Sequence, residues 1–257
     1  MVIPVDQLLS FIFVLARTSG IFVFTPFFGS LNIPVQARIL LSVVISYLFA
    51  VGVPLRSLQA NLTLSNVLFG LFGELLVGMA IGFAAHAMFA GLQCAGQLMG
   101  FQIGFSFVNA IDPQTSNRST TLSVYQNQLG LLLFLGVNAH HWFIRAIGTS
   151  LNVLPPFSIH IGREFVMKMA DLTAQVFVIG FQIAAPVTAV ALLTDMALGL
   201  IGRSAPQVHI LIIGFPIKVL AGIAAFGVGL YLFPGVMRLY IGRLEHDIEA
   251  IIRLLRG

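Results

Sequence analysis

The chain has 257 residues, 58% of them hydrophobic and 9% charged, with a mean hydropathy of +0.99. A soluble domain is about half apolar and about a quarter charged, so the composition excludes that class and indicates an integral membrane protein. The net charge of +4 is scattered through short polar breaks, which argues against a nucleic-acid binder, and the single Cys94 allows neither a disulfide framework nor a cysteine metal cluster within the chain.

Residues 8–28 are apolar apart from Arg17 and close on TPFFGS, where proline and glycine stop a helix. Asp6 precedes the run, Arg17 interrupts it and an Ala-x-Ala site is missing, so this helix is read as retained rather than cleaved. A charge inside a spanning segment costs about 2.5–3.5 kcal/mol on insertion scales. Arg17 is therefore expected to pair with another helix, snorkel to a headgroup or line an aqueous channel. Pro34 suits the first turn of a second helix, and the apolar run from 39 to 55 reaches only the lower limit of about 17 residues for a span.

Residues 67–99 are too many for one straight crossing of about 20 residues, and their sole formal charge is Glu74. That carboxyl is either protonated or bonded to backbone near the segment end, or it contacts another subunit or an ion pathway. Gly70, Gly73, Gly78 and Gly82 give faces that suit helices packed on helices.

The central stretch GQLMGFQIGFSFVNAIDPQTSNR, 96–118, turns from apolar to polar. Gly96, Gly100 and Gly104 recur every fourth residue, which predicts a bare helical stripe open to close backbone approach. Asp112-Pro113 then predicts a helix break, because proline removes a donor and pushes its predecessor out of helical geometry. Irregular backbone at membrane depth is tolerated only against protein or a water-filled cavity, so this loop is expected to line a cavity.

Residues 129–144 read as one apolar segment with Asn138, His140, His141 and Trp142 at its end. Adjacent side chains on a helix diverge by about 100°, so no metal site is expected of the histidines, and an interfacial belt is the simpler reading. Pro155-Pro156 and the mixed stretch to Asp171 read as a polar connector. Residues 172–202 and 208–233 then form a helical hairpin about the turn Arg203-Ser204-Ala205-Pro206-Gln207, with kinks predicted at Pro186 and Pro216. Asp195 and Lys218 lie on opposite arms at comparable distances from the turn, where they can pair. From Tyr240, apolar residues at three- and four-residue spacing predict an amphipathic tail helix.

Two functional classes are disfavoured by what the chain lacks. HExxH and GxSxG motifs are missing, and Glu74 and Asp195 have no evident base or nucleophile, so no enzyme and no cofactor are expected. A small-molecule or ion transporter, the alternative reading, would show paired discontinuous segments, and the region near residue 113 has no counterpart near 206.

GFQIGFSFVNAIDP at 100–113, VNAHHWFI at 137–144 and LLTDMALGLIGRSAPQVHILIIGFP at 192–216 resemble the FliR family, the R subunit of the bacterial flagellar type III protein-export gate. The stretches occur in the family's order, and the similarity spans nearly the whole chain. The resemblance implies an all-α polytopic membrane protein of long, kinked, glycine- and proline-broken helices: a P-subunit-like portion at 1–170, a Q-subunit-like hairpin at 171–239 and the tail at 240–257. It implies a place in the inner membrane, at the flagellar basal body, with P and Q subunits and the B and A subunits of the export apparatus. Unfolded flagellar proteins are the implied substrates, with membrane lipids around the assembly and no nucleic acid. It further implies that the segment after GFQIGF plugs the conduit. In that role Phe101, Ile103, Phe105, Phe107, Val108 and Ile111 would close the pore by packing and dewetting, and Asp112 and Pro113 would shape the loop.

Overall fold

A computed structural model describes residues 5–29, 33–52, 63–105, 120–205 and 210–256. The regular structure among them is helical: α1 (Val5–Phe24), α2 (Val35–Ala50), α3 (Leu64–Ile103), α4 (Thr121–Gly136), α5 (His140–Val153), α6 (Arg163–Ser204) and α7 (Ile210–Leu254). Among the described residues four helices, α1, α3, α6 and α7, are long and apolar enough to cross a membrane. At 40 residues α3 is one continuous helix, roughly 60 Å long and about twice the hydrocarbon thickness.

The chain divides into two compact units, the first comprising Met1–Ala87, Phe134–Thr173 and Ile241–Gly257, the second Met88–Leu133 and Ala174–Tyr240. In the first unit α1 buries one face, formed by Ser10, Phe13, Val14, Arg17, Thr18 and Ile21, at the three- and four-residue spacing of a helix stripe. That face packs on the start of α3 in steps that rise together. A Cβ at Gly70 would meet Phe13 Cε1 at 2.8 Å, one at Gly78 would meet Arg17 O at 2.0 Å, and one at Gly82 would meet Phe24 Cβ at 2.7 Å. The partners advance together along both helices, from Phe13 and Gly70 through Arg17 and Gly78 to Phe24 and Gly82, so α1 and α3 run parallel, and the glycines let their backbones touch. Helix α2 buries only Ser42, Ile45 and Ser46 and leaves Leu40, Tyr47 and Leu48 about two-thirds exposed.

The second unit centres on the last turns of α3. Ala95, Met99, Ile103, Leu122, Ala184, Val187 and Ala225 form its core. Its α6 and α7 segments are antiparallel arms, joined across their faces by Lys218 Nζ donating to Asp195 Oδ2 at 2.7 Å.

Four boundaries differ from the sequence reading. The apolar run 129–144 is two helices, because Gly136 closes α4 and Asn138 takes a φ of 56°. Asn138 N–H donates to Leu135 O and Ala139 N–H to Phe134 O, at 2.9 and 3.1 Å. Those are the paired bonds of a Schellman cap, with asparagine in the left-handed position. The connector after Pro155-Pro156 ends sooner than Asp171, since α6 begins at Arg163. The amphipathic stretch from Tyr240 is no separate helix but the end of α7, which runs through Pro216 and Pro234; its apolar residues Ile241, Leu244, Ile248, Ile251 and Leu255 are buried. Finally, α3 stops at Ile103, well short of the Asp112-Pro113 break expected from proline alone.

Candidate functional site at the end of helix α3

The end of α3 is a glycine cap. Gly104 has a φ of +99°; its N–H donates to Phe101 O at 3.1 Å and the Phe105 N–H to Gly100 O at 2.9 Å. This Schellman arrangement needs a residue that enters the left-handed region without a Cβ penalty. Gly104 therefore belongs to the turn and not to the helical stripe, and a Cβ there would also lie 3.0 Å from Phe215 Cε2.

Gly96 and Gly100 do form a bare face, and the chain itself fills it. A Cβ at Gly96 would lie 2.3 Å from Ser123 Cα, and one at Gly100 would lie 2.7 Å from Thr120 Oγ1. Thr120 Oγ1 donates to Gly96 O at 3.1 Å and accepts from Ser123 N–H at 3.2 Å. It thereby caps α4 from the N-cap position while fastening that end to α3. The segment between Phe105 and Thr120 consequently leaves and returns at adjacent points of one helix end.

Of the residues expected to plug a pore, Phe107, Val108, Ile111, Asp112 and Pro113 lie outside the described residues. The three that are described behave differently. Phe101 is 73% exposed on α3. Phe105 packs partly buried against the core of the second unit. Ile103 is fully buried in that core, where a Cβ at Gly222 would meet its Cγ1 at 2.4 Å. Ile103 thus packs in the core of the second unit. In the hairpin turn Arg203 is exposed at the end of α6, and Pro206 and Gln207 lie outside the described residues.

The charges within the apolar helices find partners. Arg17 and Glu74 are completely buried in the first unit, Nε to Oε2 at 2.5 Å. Arg17 Nη1 donates to Ser150 Oγ at 3.2 Å and Nη2 to Leu154 O at 2.9 Å. Leu154 is the C-cap residue of α5, so one guanidinium fork joins α1, α3 and an otherwise open helix end. Snorkelling is excluded for this arginine. Sequence reading flagged both charges but missed their pairing, along with Ser150 and Leu154, because nothing in their spacing connects them. It also missed Lys168, whose Nζ reaches Asp247 Oδ1 at 2.7 Å and Asp171 Oδ2 at 3.6 Å and so fastens the end of α7 to the start of α6 in the first unit.

At the start of α5 the rings of His140 and His141 lie 4.2 Å apart. Burial, and then the neighbouring His141, lower the His140 pKa below its ordinary value. Among the described residues no group of three or more His, Cys, Asp or Glu could hold a metal ion.

The family model described as bacterial export proteins, family 1, matches residues 8–244. The chain is 34% identical over 219 residues to the flagellar biosynthetic protein FliR of Bacillus subtilis (strain 168), covering 84% of this chain and 83% of that protein. It is 27% identical over 247 residues to FliR of Escherichia coli (strain K12), covering 94% and 89%, and 31% identical over 209 residues to FliR of Pectobacterium carotovorum subsp. carotovorum, covering 81% and 79%. With a family match over nearly its whole length and relatives above 30% identity covering four-fifths of it, this chain belongs to the bacterial export proteins, family 1, the FliR family.

Proposed function

We propose that this protein is a structural and gating subunit of the flagellar type III protein-export gate, and that residues 105–117 plug the conduit for unfolded flagellar proteins. The observation that carries the gating part is the fastening of the segment's two ends. The Gly104 cap and the Thr120 bond to Gly96 hold them together on one helix end, a fixed scaffold of the kind on which functional loops are mounted. Phe107, Val108 and Ile111 supply an apolar closure, and Asp112 and Pro113 a polar break. Exposed Phe101 sits at the base of the segment.

The gate lies in the bacterial inner membrane at the flagellar basal body, where P and Q subunits cover the apolar faces that α6 and α7 leave open and the B and A subunits complete the apparatus. The P-like portion spans 1–170, the Q-like hairpin with kinked arms 171–239 and the tail 240–257. Secondary transport of small molecules or ions has no support, since the family and the relatives are export proteins.

The test is to shorten the segment between 106 and 117 and measure conductance in cells or reconstituted bilayers. A complex that assembles and leaks small ions supports the plug. One that assembles and stays as tight as the parent makes the segment a connector and moves the gate to the partner subunits.

A further inference from the structure

Phe215 of α7 lies on the cap that ends α3. A Cβ built on Gly104 would meet Phe215 Cε2, Cδ2 and Cζ at 3.0, 3.5 and 3.9 Å, so the ring covers the face that the glycine leaves bare. That cover replaces a contact the cap cannot make alone. Caps of this kind are often closed by an apolar contact between the residue after the left-handed one and the residue whose carbonyl its N–H bonds. Here the Phe105 N–H bonds Gly100 O, and glycine has no side chain to offer.

The ties that anchor α7 in the second unit lie on the other side of Pro216. A Cβ at Gly222 would meet Ile103 Cγ1 at 2.4 Å, so α7 closely approaches α3 there, and Lys218 Nζ donates to Asp195 Oδ2 of α6 at 2.7 Å. Pro216 stands inside the helix between Phe215 and these ties. It gives no N–H to the Ile212 carbonyl four residues earlier, and its ring crowds that carbonyl. A helix bends most readily at such a residue. Ahead of it Ile212, Ile213 and Phe215 are 70%, 51% and 47% exposed, so moving them uncovers little of the core.

We propose that Ile210–Phe215 is a lever hinged at Pro216 whose position sets the state of the α3 cap. Bending at Pro216 lifts the ring off Gly104, and the uncovered cap opens. The inference goes beyond the gate reading and does not depend on it.

The experiment follows amide hydrogen exchange by mass spectrometry in the full chain in detergent, in the peptide that holds Gly104 and Phe105, whose N–H groups make the cap bonds. Phe215→Ala should speed exchange there about tenfold. Pro216→Ala restores a donor for Ile212 O and stiffens the hinge, so it should slow exchange by about the same factor. In the Phe215→Ala background Pro216→Ala should change nothing at the cap, because the lever has lost the ring through which it acts. Phe215→Leu keeps an apolar side chain of shorter reach; it should give an intermediate rate, and it carries the test where Phe215→Ala does not fold. Unchanged exchange at the cap in both Phe215 variants, no slowing by Pro216→Ala, or a Pro216→Ala effect that persists without the ring overturns the lever. Since conductance is not the readout, loss of the plug would leave the lever standing, and loss of the lever would leave the plug.

Discussion

Arg17 Nε lies 2.5 Å from Glu74 Oε2 with both side chains completely out of solvent, and the same guanidinium bonds Ser150 and the Leu154 carbonyl. A buried pair contributes little net stability over an apolar pair of similar volume, yet removing one partner strands a charge. Its value here is geometric, because it fixes one register between the parallel helices α1 and α3, a turn away from the close approach of Gly20 and Gly78.

Glu74→Leu and Arg17→Met should each destabilise the chain by about 3–5 kcal/mol, whereas the two together should recover much of the loss. Thermal unfolding of the four proteins in one detergent reads the cycle. Equal losses that simply add would show that the two groups act separately.

Glycines that look alike in the sequence should respond in opposite directions. Gly78→Ala puts a Cβ 2.0 Å from the Arg17 carbonyl oxygen, which cannot move aside, while Gly199 has nothing within 4 Å of its Cβ position. Gly78→Ala should sharply lower the yield of folded chain, and Gly199→Ala should raise stability by up to about 1 kcal/mol through helix propensity. Gly104→Ala should weaken the α3 cap by about 1 kcal/mol or more because of its positive φ. Melting temperatures of the three single variants check the order.

Asp195 and Lys218 present the contrasting ion pair. Their side chains are 45% and 24% exposed, so in the isolated chain a charge-removing Asp195→Asn should cost less than about 1 kcal/mol. Once neighbouring subunits or lipid exclude water, the same substitution should cost more, and exchanging the two charges should recover part of it. A double-mutant cycle on the free chain and on the assembled complex distinguishes the settings; zero coupling in both would reject the pair.

If residues 105–117 plug the conduit as proposed, Phe105→Ala and Phe107→Ala should each leak less than the shortened loop, since neighbouring apolar residues partly fill the gap. Phe105→Ala should also destabilise the second unit, because Phe105 packs against its core. Asp112 substitutions should act on loop conformation, because an aspartate side chain can bond nearby backbone amides. Conductance and melting temperature, recorded on the same preparations, separate the two effects.

The start of α5 should be sensitive to acid. Burial and His141 lower the folded-state pKa of His140, so on acidification the unfolded chain takes up a proton before the folded one does. The stability contributed by neutral His140 is complete above the ordinary imidazole pKa of about 6.5 and is lost as pH falls from there toward the lowered value. His140→Gln should flatten that part of the dependence, measured as melting temperature across about pH 5 to 8.

Composition and periodicity carry the membrane class, the helical character, the α6–α7 hairpin and the amphipathic stripe from Ile241 to Leu255. The sequence also marked the isolated charges and the glycine stripe, since both are exceptions to an apolar background. Two helix ends carry a local signal, in Gly104 and Asn138, but a left-handed cap is weaker in the pattern than the later Asp112-Pro113 pair in one case and the continuous apolar run 129–144 in the other. Which groups meet was decided only by the tertiary structure. Arg17 and Glu74 are 57 positions apart, and nothing in a linear pattern records that two helices run parallel and in register. Gly96 and Gly100 announce that some backbone comes close, but a glycine is equally bare toward every neighbour. Only the folded chain shows that the neighbours are its own Ser123 and Thr120.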